Sequence, residues 1–312
     1  MTTVRSDRGQ ATVLTVIFMV ALLGAVALVL DVGSWFREQR DTQSAADAAA
    51  LAAAHALPDT PGDATILANE YLGKNGGGSS EVEIVSNTVP NDTVTVEVDR
   101  EAPGYFAQLF GIDSVTVAAK ASARSGGLDA AKWVAPIVVN LDHPKLQCGG
   151  SHNKPTPCFG DATEIELDHL HKPGSGSAAG SFGLINLDQD DSGSVGGSTL
   201  GDWILRGFDQ YLEPGDFTSV PSAKFNDSHV KDALTARLHD DLLFPIYKSI
   251  SGSGSTAVYE VVGWVGFNVT KFIATGSTGK VYGSFTKVIW EGIQSSSGNN
   301  LNFGTRTIEL VE

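Results

Sequence analysis

Residues 11–30 are twenty consecutive positions without a charged side chain, and only Thr12 and Thr15 interrupt their apolar character. As a helix rising about 1.5 Å per residue, such a segment is about 30 Å long, the thickness of a bilayer's hydrocarbon core. Three readings fit it: a membrane span, a buried core helix, or a signal peptide cleaved at Ala25-Val26-Ala27. Arg5 and Arg8 before the segment and Arg37 and Arg40 after it favour the span. The apolar run continues through Val29 and Leu30, which counts against cleavage. The expectation is a short basic segment at 1–10 and a transmembrane helix at 11–30.

Charge is distributed unevenly behind this segment. Residues 1–40 hold four Arg against two Asp and one Glu, so +1 of the total −15 lies there and the remainder carries −16. An acidic body without a Lys/Arg stripe repels phosphate backbones, so no nucleic acid partner is expected. With two Arg on each flank, the positive-inside rule leaves orientation open. The acidic body and the two cysteines favour a single pass of the cell membrane, with the N-terminus cytoplasmic and the C-terminal bulk outside.

Helix-forming residues continue from Asp31 without proline to Leu57, through an alanine-rich run at 45–54, and Pro58 ends them. One helix over 11–57 would be about 70 Å long, half in lipid and half a stalk. Ala46, Ala50 and Ala54 fall at i, i+4 spacing, a small-residue stripe that suits self-association or packing on the chain's own sheet, with the second favoured.

Beyond the stalk the patterning predicts an α+β protein. In the module assigned to residues 31–126, Asp63 caps a helix over 64–72 that Gly73 closes. Val82/Ile84 and Val94/Val96/Val98 alternate as half-buried strands joined by a turn at Val89-Pro90-Asn91-Asp92, followed by a short helix at 105–110 and a strand at 115–119. The expected arrangement is a small pilin-like sheet on the stalk helix. Residues 127–312 read as a β-rich α+β domain with strands at 133–139, 182–187, 257–274, 280–291 and 306–311 and helices at 199–212 and 230–239. Its aromatics, among them Tyr259, Trp264, Phe267, Phe285 and Trp290, read as a sheet core, with a sugar-binding face as the alternative.

Chemistry-bearing motifs are few. Cys148 and Cys158 are expected to pair as a disulfide outside the membrane. Combined with His143, His152, His169 or His171 they match no zinc spacing. Asp188, Asp190 and Ser192 occupy the first, third and fifth positions of a calcium loop with Gly193 at the sixth, but the twelfth is Thr199 instead of Glu. Asp190-x-Ser192-x-Ser194 also resembles the metal-dependent adhesion motif of von Willebrand A domains, without the β/α alternation that should follow. Asp188, Asp190, Ser192 and Ser194 are therefore candidate metal ligands, and an ordinary acidic turn is the reading adopted. No nucleophile elbow, phosphate loop, dinucleotide fingerprint or H-E-x-x-H is present, so no catalytic residue and no cofactor are assigned.

Arg8-Gly9-Gln10-Ala11, the apolar span, Asp31-Val32-Gly33 and Ala45-Ala46-Asp47-Ala48-Ala49-Ala50-Leu51-Ala52-Ala53-Ala54, in that order, resemble the TadE/TadG-like Flp pilus-assembly family. Ala102-Pro103-Gly104-Tyr105-Phe106-Ala107-Gln108-Leu109-Phe110-Gly111 and the alternation at 115–123 are similar more loosely. The resemblance implies a bacterial, membrane-anchored, non-enzymatic component of the pilus machinery, with other pilus-assembly proteins or pilin as partners. Counting from Gln10, Leu14 stands where related prepilins usually carry Glu, which argues against prepilin-type processing. An anchored adhesin using the Asp188 loop or the aromatic sheet, and a secreted hydrolase, are the alternative functions.

Overall fold

Alanine-rich and straight-chain residues, with no proline before position 58, leave nothing to stop a helix once it starts, and α1 runs unbroken over Arg8–Ala54. The computed structural model describes residues 8–151, 154–167, 183–189, 195–252, 256–275, 278–296 and 303–311. The chain divides into two compact units, one of residues 1–124 and 309–312, the other of residues 125–308. Fold class is mixed α+β: a long apolar N-terminal helix, then sheets with a few helices.

In the first unit α1 is followed by α2 (Pro61–Lys74), β1 (Ser79–Val85), β2 (Thr93–Pro103), a 3₁₀ turn at Ala107–Phe110 and β3 (Ser114–Gly126). The helix expected over 64–72 is longer at both ends. Asp63 lies in its first turn while Thr60 occupies the N-cap, because Pro61 fits the first helical position where no N–H is needed. Gly73 lies inside α2, and the left-handed Gly76 and Gly77 follow its end at Asn75.

β1, β2 and β3 form an antiparallel meander with Val82 opposite Val96 and Val98 opposite Ala119. Period-two alternation puts Val94, Val96, Val98 and Ala102 of β2 with Ala119, Ala121 and Ala123 of β3 on one buried face. α1 packs on β2 and on α2, whose Ala64, Ala68 and Leu72 are buried at i, i+4, i+8 spacing. The stripe Ala46, Ala50, Ala54 is fully buried here, as are Ala45, Ala49 and Ala53. Self-association through that stripe is therefore corrected: side chains with no exposed surface have none to offer a second copy, and residues 31–54 are a core helix rather than a bare stalk.

The second unit comprises β4 (Leu128–Ala131), β5 (Val139–Asn140), β6 (Gly149–Ser151), β7 (Lys154–Thr156), β8 (Thr163–Glu166), α3 (Gly197–Arg206), β9 (Gly215–Thr218), α4 (Ser228–Ala236), β10 (Asp241–Ser251), β11 (Val258–Thr275), β12 (Thr278–Thr286), β13 (Val288–Ile289), β14 (Gly292–Gln294) and β15 (Thr305–Val311), the last ending in the first unit. Its main sheet has the order β5-β10-β11-β12-β8, with β9 beside β11. Both faces are covered. Phe244, Phe267 and Phe285 lie in one apolar cluster with Leu200 and Ile204 of α3 and Val230 and Leu234 of α4, whereas Tyr247, Tyr259 and Trp264 lie in another.

Several expectations shift here. β10 lies where the sequence patterning assigns no strand; Pro245 interrupts its apolar run, and proline is unusual in a central strand. The structure accommodates it where β5 pairs only at Ile246 and Tyr247. The strand expected over 133–139 is reduced to isolated bridges at Val134 and Ile137 and the start of β5 at Val139, since Trp133 adopts a positive φ and Pro136 cannot donate. α3 stops at Arg206 because Gly207, at φ 82°, turns the chain where a Cβ would strike the Trp133 backbone.

Asp92 organises the turn between β1 and β2. Its buried carboxylate accepts hydrogen bonds from the amides of Asn87, Thr88 and Val89 and from the Thr93 hydroxyl at 2.7–3.0 Å. Burial opposes ionisation, but these donors outweigh it and hold the carboxyl below the ordinary aspartate value. Because the folded value lies below the unfolded one, this stabilisation is fully present above about pH 4 and drains away as pH falls through the folded value. Asp92→Asn should cost about 2 kcal/mol at neutral pH and flatten the acid limb of the first unit's stability. Denaturant melts of both proteins between pH 2.5 and 7 check this; parallel acid limbs would refute it.

Candidate membrane-anchor site

The apolar segment of α1 and the folded core of the first unit belong to one helix, so the residues where one becomes the other form the candidate site. Within Ala11–Ala54, a window of mean hydropathy 3.0 is wholly unburied, making α1 long and apolar enough to cross a membrane. Leu28, Val29 and Leu30 are more than half exposed; at Asp31 exposure falls to 2%. Charge and burial thus arrive together at one residue.

Asp31 is buried because its carboxylate is used. Oδ1 accepts from the amides of Tyr105 (2.9 Å) and Phe106 (3.1 Å), while Oδ2 accepts from Phe106 (3.0 Å) and Ala107 (2.5 Å). These are the amides that open the 3₁₀ turn Ala107–Phe110, which would otherwise lack partners. The loop between β2 and β3 is closed at its base by Gly104 N to Asp113 O at 2.9 Å. Gly104 is required there, since a Cβ would lie 2.7 Å from the Ile112 carbonyl oxygen. Gly111 ends the turn at φ 83°.

The same helix face continues the attachment every fourth residue. Trp35 Nε1 donates to Pro103 O at 3.1 Å, Gln39 Nε2 to Ala118 O at 2.6 Å, and Gln43 Nε2 to Lys120 O at 3.1 Å. Pro103 ends β2, whereas Ala118 and Lys120 lie two residues apart on β3; from Gln39 to Gln43 four helical residues rise about 6 Å and two strand residues about 6.6 Å, so that step is matched. Arg100, opposite on β2, donates to Gly77 O and Asn75 O and lies 3.7 Å from Glu38, tying the end of α2 to α1.

Other sequence-nominated residues lie apart from this junction. Cys148 and Cys158 form a disulfide, with Cα atoms 5.3 Å apart, that closes the β6–β7 hairpin. Asp161 is near both sulfurs, the one metal-like grouping among the described residues, but sulfurs bonded to each other are not thiolate ligands. His143 is engaged by Lys145 N and Glu164 O and packs edge-on against Phe285. Asp188 takes part in a turn through its amide, bonded to Asn186 Oδ1. Asp190, Ser192, Ser194, His152, His169 and His171 lie outside the described residues. Tyr259, Trp264, Phe267 and Phe285 are buried, which removes them from any sugar-binding face.

Sequence reading had both halves of the junction, the Asp-x-Gly after the span and the Gly-Tyr-Phe run, without joining them. The signal available was a carboxylate at the end of an apolar helix, which must find donors or face water. Replacing Asp31 with Ala should leave α1 intact but speed amide exchange at Tyr105, Phe106 and Ala107 and destabilise the first unit by about 1–3 kcal/mol. Hydrogen exchange in detergent micelles checks it; unchanged protection would show that the carboxylate does not hold the loop.

No curated protein and no solved structure matches the chain. Residues 9–56, which hold the apolar helix and Asp31, match the family model described as "Putative Flp pilus-assembly TadE/G-like", so this N-terminal segment carries a Tad domain and points to a role in Flp pilus assembly.

Proposed function

We propose that the protein is a single-pass, membrane-anchored component of Flp/Tad-type pilus assembly, acting through contacts rather than catalysis. In this reading α1 spans the bilayer with its N-terminus in the cytoplasm and both folded units outside. The observation that carries it is the unbroken α1: among the described residues its apolar half is unburied, its other half contributes a buried face to a folded unit, and both lie in the matched segment. Two further features support the outward orientation. The Cys148–Cys158 bridge suits an oxidising compartment, and the acidic charge suits solvent rather than an anionic cytoplasmic leaflet. The pilus partners in this reading are other assembly proteins or pilin, engaged through exposed surface rather than through the buried alanine stripe.

Membrane preparations and intact spheroplasts test this together. The protein should resist carbonate extraction, and external protease should remove the mass beyond about residue 55 while a tag ahead of Arg8 survives. Carbonate release, or protection of the C-terminal mass with loss of the tag, would overturn the anchored or the outward reading respectively. Deleting the gene should abolish surface pili without altering pilin synthesis.

A further inference from the structure

The loop that Asp31 holds exposes an unusual set of side chains. Leu109 is 80% exposed and Phe110 84%, with Tyr105, Phe106 and Ile112 also exposed. No charged residue occurs from Ala102 to Ile112. A water-facing loop of this length would ordinarily carry polar side chains, and large apolar residues clustered at one tip mark a surface that meets something apolar.

Its position identifies what it meets. Asp31 follows directly on Leu30, the last residue of the charge-free stretch, and bonds three amides of the loop. Trp35 bonds Pro103 at the end of β2 beside the loop, and Gln39 and Gln43 bond Ala118 and Lys120 progressively farther along β3, so this loop is the part of the sheet next to the apolar helix segment. The backbone is also prepared for an environment poor in water. Besides the three amides on Asp31, Gly104, Leu109, Gly111 and Ile112 donate to carbonyls within the loop, and Gln108 Nε2 returns to Gly104 O and Tyr105 O. Lipid-facing irregular backbone is excluded from the hydrocarbon core, so a loop with these internal bonds belongs at the interface, where water still reaches its remaining polar groups.

We propose that the 105–112 loop is a second membrane contact, an apolar foot whose Leu109 and Phe110 enter the lipid interface beside α1 while Tyr105 sits at headgroup level. This rests on the reading of α1 as a membrane span. A foot clamped to the helix at Asp31 fixes the tilt and rotation of the first unit against the bilayer, which a single helix leaves free.

The test uses the full chain reconstituted in phosphatidylcholine/phosphatidylglycerol vesicles. The bonded native cysteines leave an introduced cysteine as the sole target for a nitroxide label. Leu109→Cys and Phe110→Cys report the foot, Val20→Cys the span and Glu97→Cys the solvent-facing side of the sheet. The ratio of collision rates with oxygen to those with a water-soluble nickel chelate should be several-fold higher at 109 and 110 than at 97, approaching the value at 20. A foot ratio equal to that at 97, with 20 still shielded, overturns the foot and leaves the anchor standing. Protection from both collision partners would mean that protein covers the loop, and overturns it too. Nickel access at 20 would remove the span and the foot together.

Discussion

One helix in this protein is apolar and exposed along its first part and buried along one face of its second. α1 closes its own backbone hydrogen bonds along its length, so the same conformation serves in hydrocarbon and in a protein core, and only the side chains need to change. They change at Asp31. Before it every residue from 11 to 30 is uncharged and the span is exposed; after it the face bearing Thr42, Ala45, Ala46, Ala49 and Ala50 is buried. The first unit is organised around that switch, because its sheet is positioned by the helix that leaves the apolar segment.

Close attachment depends on two matched properties. Alanine side chains let the helix approach the sheet closely, which brings Gln39 and Gln43 within hydrogen-bonding reach of strand carbonyls. The near equality of four helical rises and two strand rises matches the step from Gln39 to Gln43 with that from Ala118 to Lys120. The result is a unit held to its helix by small apolar contacts and backbone-directed polar ones, with Arg100 and Glu38 adding charge at one side. Such an attachment transmits the orientation of the helix to the sheet.

The second unit follows different rules. Its sheet is buried on both faces, so its strands read as apolar runs rather than clean alternations, and its aromatic side chains fill the interior. The disulfide closes a hairpin at the surface.

Sequence alone determined the apolar span, the helix that continues it, the α+β class, the cysteine pair and the family resemblance of the N-terminal segment, because periodicity, propensity and charge are local properties. It did not reveal β10, whose Pro245 is acceptable only because its neighbour on one side pairs briefly, nor the broken course of the chain around Trp133, whose backbone lies against Gly207. For the alanine stripe the sequence favours packing within the chain over self-association, and burial in the fold decides it. The junction at Asp31 is the clearest case: 74 residues separate the carboxylate from the first amide it accepts, and only the folded sheet brings Tyr105, Phe106 and Ala107 to the end of the span. Tertiary structure decides such contacts because a buried carboxylate must be paired wherever donors are available in space, and no local rule of sequence states where those donors will be.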